Sequence, residues 1–280
     1  MLAHSFIHLP GIDPATEEEL WRRGVTTWDL LEQDSPGGAT ELREALSISR
    51  ERLAARDAAY FADLMPSHEV WRLYSEFRAE AAFLDIETTG LGHDAYTTIC
   101  GVLDNLGFRA YARGDEMDLL PEYLEQFKLV VTFNGISFDV PFLRRELGAG
   151  VLRRAAHMDL MLVLRRLGLK GGLKAIERSL GVGRPSSLST LDGRDAITLW
   201  TMSQEGEPEA LDTLIRYNAE DVLVLPRLAA LAVRDHAMGT PMSEYSLPDF
   251  PEPDISVLPY DASLVHHLAS RRGKAVVAAR

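Results

Sequence analysis

Residues 81–90 read AAFLDIETTG: four apolar residues, then Asp85, Ile86 and Glu87, then Thr88, Thr89 and Gly90. A short apolar run closed by a turn signal predicts a buried strand. Side chains alternate across a strand, so Asp85 and Glu87 share one face while Ile86 points the other way. Two carboxylates side by side at the end of a buried strand repel each other and lose hydration, which is costly unless a cation sits between them. Hard divalent ions such as Mg2+ or Mn2+ favour carboxylate oxygens, so a metal is the simplest compensation. The other reading of the pair is a solvated loop just past the strand end.

Downstream, TTICGVL (97–103) and FRAYAR (108–113) form an expected antiparallel pair, joined by the Gly-containing loop Asp104 to Gly107. The segment from Asp115 to Phe127 reads as helix, with Pro121 limiting where it begins. KLVVTF (128–133) is a further buried strand ending at Asn134-Gly135, and a long helical remainder runs from about Asp139 to Asp235. This order predicts an α/β fold, a mixed sheet with helices packed on it.

Upstream, residues 1–75 read as a separate, small helical module. A helix starts at Thr16 and stops at Gly24, a short one follows from about Thr27 to Glu32, and Ser35 to Gly38 is a loop before a helical pattern from roughly Thr40 to Leu64. The stretch LPGIDPATEEELWRRGVTTWDLLEQ (9–33) loosely resembles a helix-hairpin-helix element, with Asp13 where the second hairpin glycine is usual. An acid there repels a phosphate, so Trp21 and Trp28 are read as core of the module, with DNA or RNA contact as the other role. The main domain is expected over 78–236 and a Pro-rich tail, an extended wrap or a partly ordered appendage, over 237–280.

The 46% hydrophobic and 25% charged content argues against wholesale disorder. A single cysteine, Cys100, excludes an intramolecular disulfide framework and a cysteine-based zinc cluster. No apolar stretch of about 18 residues is present, so no membrane span is expected. The N-terminus has no basic region followed by an apolar core, so a cytoplasmic location is the default. The net charge of −13 argues against a polyanionic partner, but Arg144 to Arg194 carries 11 Lys and Arg against 4 Asp and Glu. Such a segment can focus an anionic substrate onto one face, or be the solvated side of several helices.

Two more acidic sites follow. In TFNGISFDVPFLRREL (132–147), Asn134 ends a strand and Asp139 starts a helix beside Phe138; Asp139 also suits a plain helix cap. In IRYNAEDVLVLPRL (215–228), Tyr217 and Asp221 are one helical turn apart, facing the apolar side or lying at its polar boundary. A strand-end D-x-E, then N-x-x-x-F-D, then a helical Y-x-x-x-D resembles the three motifs of the DEDD (DnaQ-like) exonuclease superfamily, in its tyrosine (DEDDy) branch. HMDL (157–160), LKAIERSLG (173–181), LDGRDAITLW (191–200) and YNAEDVLVL (217–225) look closest to YprB-like ribonuclease H-like predicted exonucleases. The resemblance covers about 81–234.

It implies a ribonuclease H-like mixed sheet flanked by helices, with Asp85, Glu87, Asp139 and Asp221 holding two divalent metal ions, Mg2+ or Mn2+. Tyr217 would orient, or help deprotonate, the attacking water; its ordinary pKa near 10 favours positioning. The activity implied is 3'-5' exonucleolytic hydrolysis at ends of single-stranded DNA or RNA. Thr88, Asn134 and Phe138 are assigned substrate contacts, Asn134 alternatively holding its loop. Arg144, Arg145, Arg165, Arg166, Lys170 and Lys174 are candidate phosphate contacts, and His157 and Asp159 match the family's H-x-D stretch, with a structural role as the alternative. The alternative functions are a structure-specific endonuclease on the same site and a non-catalytic nucleic-acid-binding protein.

Overall fold

The computed structural model describes residues 1–34, 40–182, 187–244, 250 and 253–278; the Ser35 to Gly38 loop lies outside them. Five strands make one sheet: β1 (Ala81–Thr88), β2 (Thr97–Asp104), β3 (Gly107–Ala112), β4 (Leu129–Thr132) and β5 (Ala156–Asp159), in the order β3-β2-β1-β4-β5. β2 pairs antiparallel with β1 and β3, while β4 pairs parallel with β1 and β5. The sheet is therefore mixed, as the alternation of hairpin and crossover in the sequence requires. β1 lies in its centre, which is why its apolar start is fully buried.

Ahead of the sheet come α1 (Pro14–Arg22), α2 (Trp28–Asp34), α3 (Thr40–Ala54) and α4 (Ala58–Leu64), then a 3-10 segment at Ser67–Leu73 and the single turn α5 (Tyr74–Phe77). The pattern read as one helix from Thr40 to Leu64 is broken at Arg56, whose φ of 57° lies in the left-handed region, and Asp57 caps the next helix. Asp13 caps α1, its carboxylate accepting from Thr16 N at 2.8 Å. Trp21 and Trp28 donate their indole N–H groups to the carbonyls of His4 and Ser5 and pack inward. Arg72 reaches Glu17 at 2.8 Å and Ser5 Oγ at 2.9 Å, a buried pair that ties the Ser67–Leu73 segment to α1.

The remaining helices are α6 (Leu120–Leu124), α7 (Asp139–Leu147), α8 (Leu160–Arg166), α9 (Leu173–Leu180), α10 (Gly193–Gln204), α11 (Pro208–Leu223), α12 (Leu225–Ala237) and α13 (Ala262–Ala278). One sheet face, with Ala82, Leu84, Ile86, Cys100 and Val130, packs on α6 and α7 through Leu120, Leu124, Phe142 and Leu143. The other face meets α11 and α12: Phe83, Leu103, Val131 and Met158 join Val222, Leu225 and Leu228. Phe6, Trp28, Phe61 and Trp71 of the N-terminal segment belong to that same apolar cluster.

Two further elements differ from the sequence expectation. β5 interrupts what reads as unbroken helix from Asp139. AHMD is only four residues long and carries no β-branched side chain, so its strand character comes from parallel pairing with β4. The tail also contains a helix. Asp261 caps α13 through Ser263 N and Leu264 N, and Val265 and Leu268 are buried beside Ile99, Leu214 and Tyr217. Arg216 of α11 donates to the carbonyls of Ile255 and Leu258, fastening the preceding segment.

Candidate active site

The site forms where β1 runs past its parallel neighbour. β4 pairs with β1 only through Ala81, Ala82 and Phe83, so the second half of β1 has β2 on one side and an open edge on the other. A register shift between Glu87 and Thr88 re-aims the strand end. Asp85 and Glu87 share the face that meets α11, as strand alternation predicts. α11 presents Tyr217 and Asp221 on one face, four residues apart.

Asp85, Glu87 and Asp221 converge, with one carboxylate oxygen of each lying within 4.8 Å of the others. Glu87 and Asp221 are buried and Asp85 is half-buried. Burial first, then the charge of Asp221, holds the Glu87 carboxyl well above its usual range; Lys174 and a hydrogen bond from Asn218 pull the other way. Three carboxylates at this spacing give an all-oxygen donor set of the kind hard divalent cations take. The residues therefore fit the Mg2+ or Mn2+ expected from the sequence.

Asp139 enters from the opposite layer, on the first turn of α7. Its Oδ1 accepts from Ile86 N at 3.2 Å, supplying a partner along the edge of β1 that β4 leaves open. Burial raises its pKa to about 7, against the hydrogen bonds it accepts from Ile86 and its own backbone N–H, with the charge of Asp159 adding to the rise. Asp139 lies outside the three-carboxylate cluster, while its charge still reaches Glu87.

One contributor escaped the sequence reading, and a second was read there only as a candidate phosphate contact. Asn218, fully buried next to Tyr217, donates from Nδ2 to both the carbonyl and Oδ2 of Asp85, at 3.3 and 3.0 Å. Its Oδ1 is buried without a hydrogen-bond partner and lies over Gly101 of β2, where a Cβ would come within 1.9 Å of it. Gly101 is the register partner of Asp85, so the missing side chain makes room for the amide that orients the carboxylate. Lys174, on the first turn of α9, places Nζ 3.0 Å from Tyr217 Oη and 4.5 Å from the ring centroid. Of the six basic candidates it is the one whose described contacts reach the carboxylate cluster.

The substrate candidates are spread around this centre. Thr88 is buried and donates to Gly90 O at 2.8 Å. Phe138 is half-buried against Phe142, at 4.9 Å between ring centroids. Asn134 adopts a left-handed φ of 66°, and its N–H and that of Ile136 are both held by the Asp159 carboxylate. Asp159 also caps α8, and His157 meets Thr132 Oγ1 at 2.8 Å, so this pair braces the loop between β4 and α7. Arg144 and Arg145 donate to the carbonyls of Val151 and Ala95.

A family model described as RNase_H superfamily matches residues 82–233, a span that runs from the second residue of β1 through β5 to most of α12. The chain belongs to the RNase_H superfamily. Its sheet and helical layers are a ribonuclease H-like fold. A solved structure similar to part of the chain is the family B DNA polymerase from the hyperthermophilic archaeon Pyrobaculum calidifontis, at 19% sequence identity and a TM-score of 0.43. That match covers 56% of this chain and 24% of the polymerase, so the chain spans about a quarter of its length. No curated protein matches the chain. The three clustered carboxylates all fall within the span that the family model matches. Among the described residues no helix is long and apolar enough to cross a membrane.

Proposed function

We propose that this RNase_H-superfamily member is a metal-dependent 3'-5' exonuclease of the DEDDy type, acting on ends of single-stranded DNA or RNA and closest in character to YprB-like proteins. The observation that carries the reading is the convergence of Asp85, Glu87 and Asp221, with Tyr217 one turn before Asp221 on the same helix. Asp85, Glu87 and Asp221 would hold the divalent ions. Asp139, on its separate hydrogen bond to Ile86, would complete the set from the α7 side. Divalent ions bound there supply a water nucleophile at neutral pH and charge stabilisation for the departing oxygen of a phosphodiester. Asn218 orients the Asp85 carboxylate, and Tyr217 positions the attacking water. Burial first, and then the charges of Asp221 and Asp139, keep Glu87 protonated more readily in the metal-free site, so cation binding there would release protons and tighten as pH rises.

The test is digestion of single-stranded DNA and RNA labelled at the 5' end, with Mg2+ or Mn2+. EDTA and an Asp85→Ala/Asp221→Ala variant serve as controls. A ladder shortening stepwise from the 3' end, absent in both controls, is the expected result. Circular strands should stay intact, because an exonuclease needs a free terminus. Cleavage that survives the double substitution, or no cleavage of either polymer, overturns the assignment.

A further inference from the structure

We propose that Lys174 is a positioning residue of the candidate site, fixing Tyr217 as a hydrogen-bond donor toward the oxygens of the reacting phosphodiester or its attacking water. The inference rests on the nuclease reading and specifies how an acidic centre meets an anionic substrate. Lys174 Nζ lies 3.0 Å from Tyr217 Oη and also donates to the Leu191 carbonyl just before α10. An ammonium carries three donors and no acceptor. The Tyr217 oxygen is therefore the acceptor in this contact, and its own O–H proton points away from Lys174.

The packing holds both partners in that relation. The ammonium also sits over the Tyr217 ring at 4.5 Å, and the phenol itself is only 4% exposed among Ile99, Leu214 and Val265. Asp221 and Glu87 are hydrogen-bond acceptors when ionised and repel a phosphate. Lys174 acts on Glu87 as a favourable opposite charge, so it lies on the same side of the site as the carboxylates it offsets. The result is a donor pair, one ammonium and one phenol, built into a centre otherwise made of carboxylates. A phenol whose oxygen already accepts from an ammonium is suited to donate a hydrogen bond. Tyr217 thereby orients an oxygen rather than removing its proton.

The experiment is a double-mutant cycle on the full chain with Mn2+ and an end-labelled single strand. Lys174→Met and Tyr217→Phe should each lower kcat by about 10- to 100-fold with KM changed less than about threefold. Because Lys174 acts through Tyr217, the double variant should be no slower than the slower single variant. Lys174→Arg, which keeps a cationic donor, should recover part of kcat. Mn2+ binding read by calorimetry should stay within about threefold of wild type in all four proteins, since none of the carboxylates proposed to hold the metal is altered. Thermal melting establishes that each variant is folded, and Lys174→Gln replaces Lys174→Met if the latter is not. Wild-type kcat in the Lys174 variant, or losses that multiply in the double variant, overturns this inference and leaves the nuclease reading intact. A wild-type protein that cleaves neither DNA nor RNA overturns the nuclease reading, and this inference falls with it.

Discussion

Two buried glutamates in this molecule have opposite surroundings. Glu17, in α1, is 1% exposed and fully partnered within the chain: Arg72 reaches it at 2.9 and 2.8 Å, and Phe6 N donates to it at 2.5 Å. Glu87, at the end of β1, is gathered against Asp85 and Asp221, with Asn218 and Lys174 as partial compensation. Burial is the leading cause of a raised pKa at both. What differs is the sign of the nearest charge. One carboxylate is completed by a guanidinium of its own chain and braces the fold; the other stands among like charges, an arrangement that an external cation completes. Strongly perturbed acids mark functional sites only when the neighbours leave the charge uncompensated.

The sharpest way to break that comparison is to remove one partner on each side. Arg72→Met leaves Glu17 buried without its cation and should lower folding stability by about 3–5 kcal/mol. Asp221→Asn removes one of three repelling carboxylates, so in EDTA it should melt at or above the wild-type temperature. Denaturant unfolding of both variants, metal-free, checks this. If Asp221→Asn loses as much stability as Arg72→Met, the site carboxylates brace the fold as Glu17 does and the contrast disappears.

A smaller effect is expected at the contact between β2 and α11. Gly101→Ala places a methyl group against Asn218 Oδ1 and the Phe108 ring, at 1.9 and 2.9 Å before relaxation. Overpacking of this kind costs about 1–3 kcal/mol. It should also displace the amide from Asp85 and weaken Mn2+ binding by about 10- to 100-fold. Calorimetric titration beside a thermal melt separates the two effects. Stability loss with Mn2+ affinity unchanged would show that Asn218 packs α11 without orienting the carboxylate.

The central strand and its acids were legible because the signals are local. AAFLDIETTG carries its own burial pattern and its own alternation, and Tyr217 and Asp221 sit at helical spacing within one element. β5 was not legible, since four residues cannot show a period and the pairing with β4 is what makes them a strand. Asp139 reads from sequence as a metal ligand or a helix cap; neither reading anticipates its role as a partner to Ile86 N, which depends on where β4 stops. Gly101 and Asn218 are 117 positions apart, so nothing in either local sequence announces the contact. Lys174 was visible only as one basic residue among six, and its separation from the rest needs the folded position of Tyr217. In the tail, the Asp261 cap and the Leu264, Val265, Leu268 spacing were a usable helix signal, outweighed by the prolines before it.

The smallest effect concerns pH, and it separates the N-terminal core from the site once more. His8 is buried between Trp28 and Phe61, with Ser49 Oγ at 3.2 Å from Nε2. Burial, and secondarily the charge of Arg72, lowers its pKa to about 3 from an ordinary value of 6.5. Below pH 6.5 the unfolded chain takes up a proton that the folded state refuses, so this histidine makes stability fall as pH drops toward 3. The slope is at most about 1.4 kcal/mol per pH unit. Asp139 has the opposite sign: its folded pKa of about 7 lies above the unfolded value of 3.8, so its contribution is fully present below 3.8 and is lost as pH rises through 7. Urea unfolding from pH 7 to 4.5 in EDTA should therefore give a flatter or rising stability toward acid in His8→Gln than in wild type. The difference between the two curves isolates His8 from the carboxylates, which both proteins share. Identical slopes would mean that His8 takes up its proton in the folded state, and that the aromatic cluster around it admits a charge which its burial argues against.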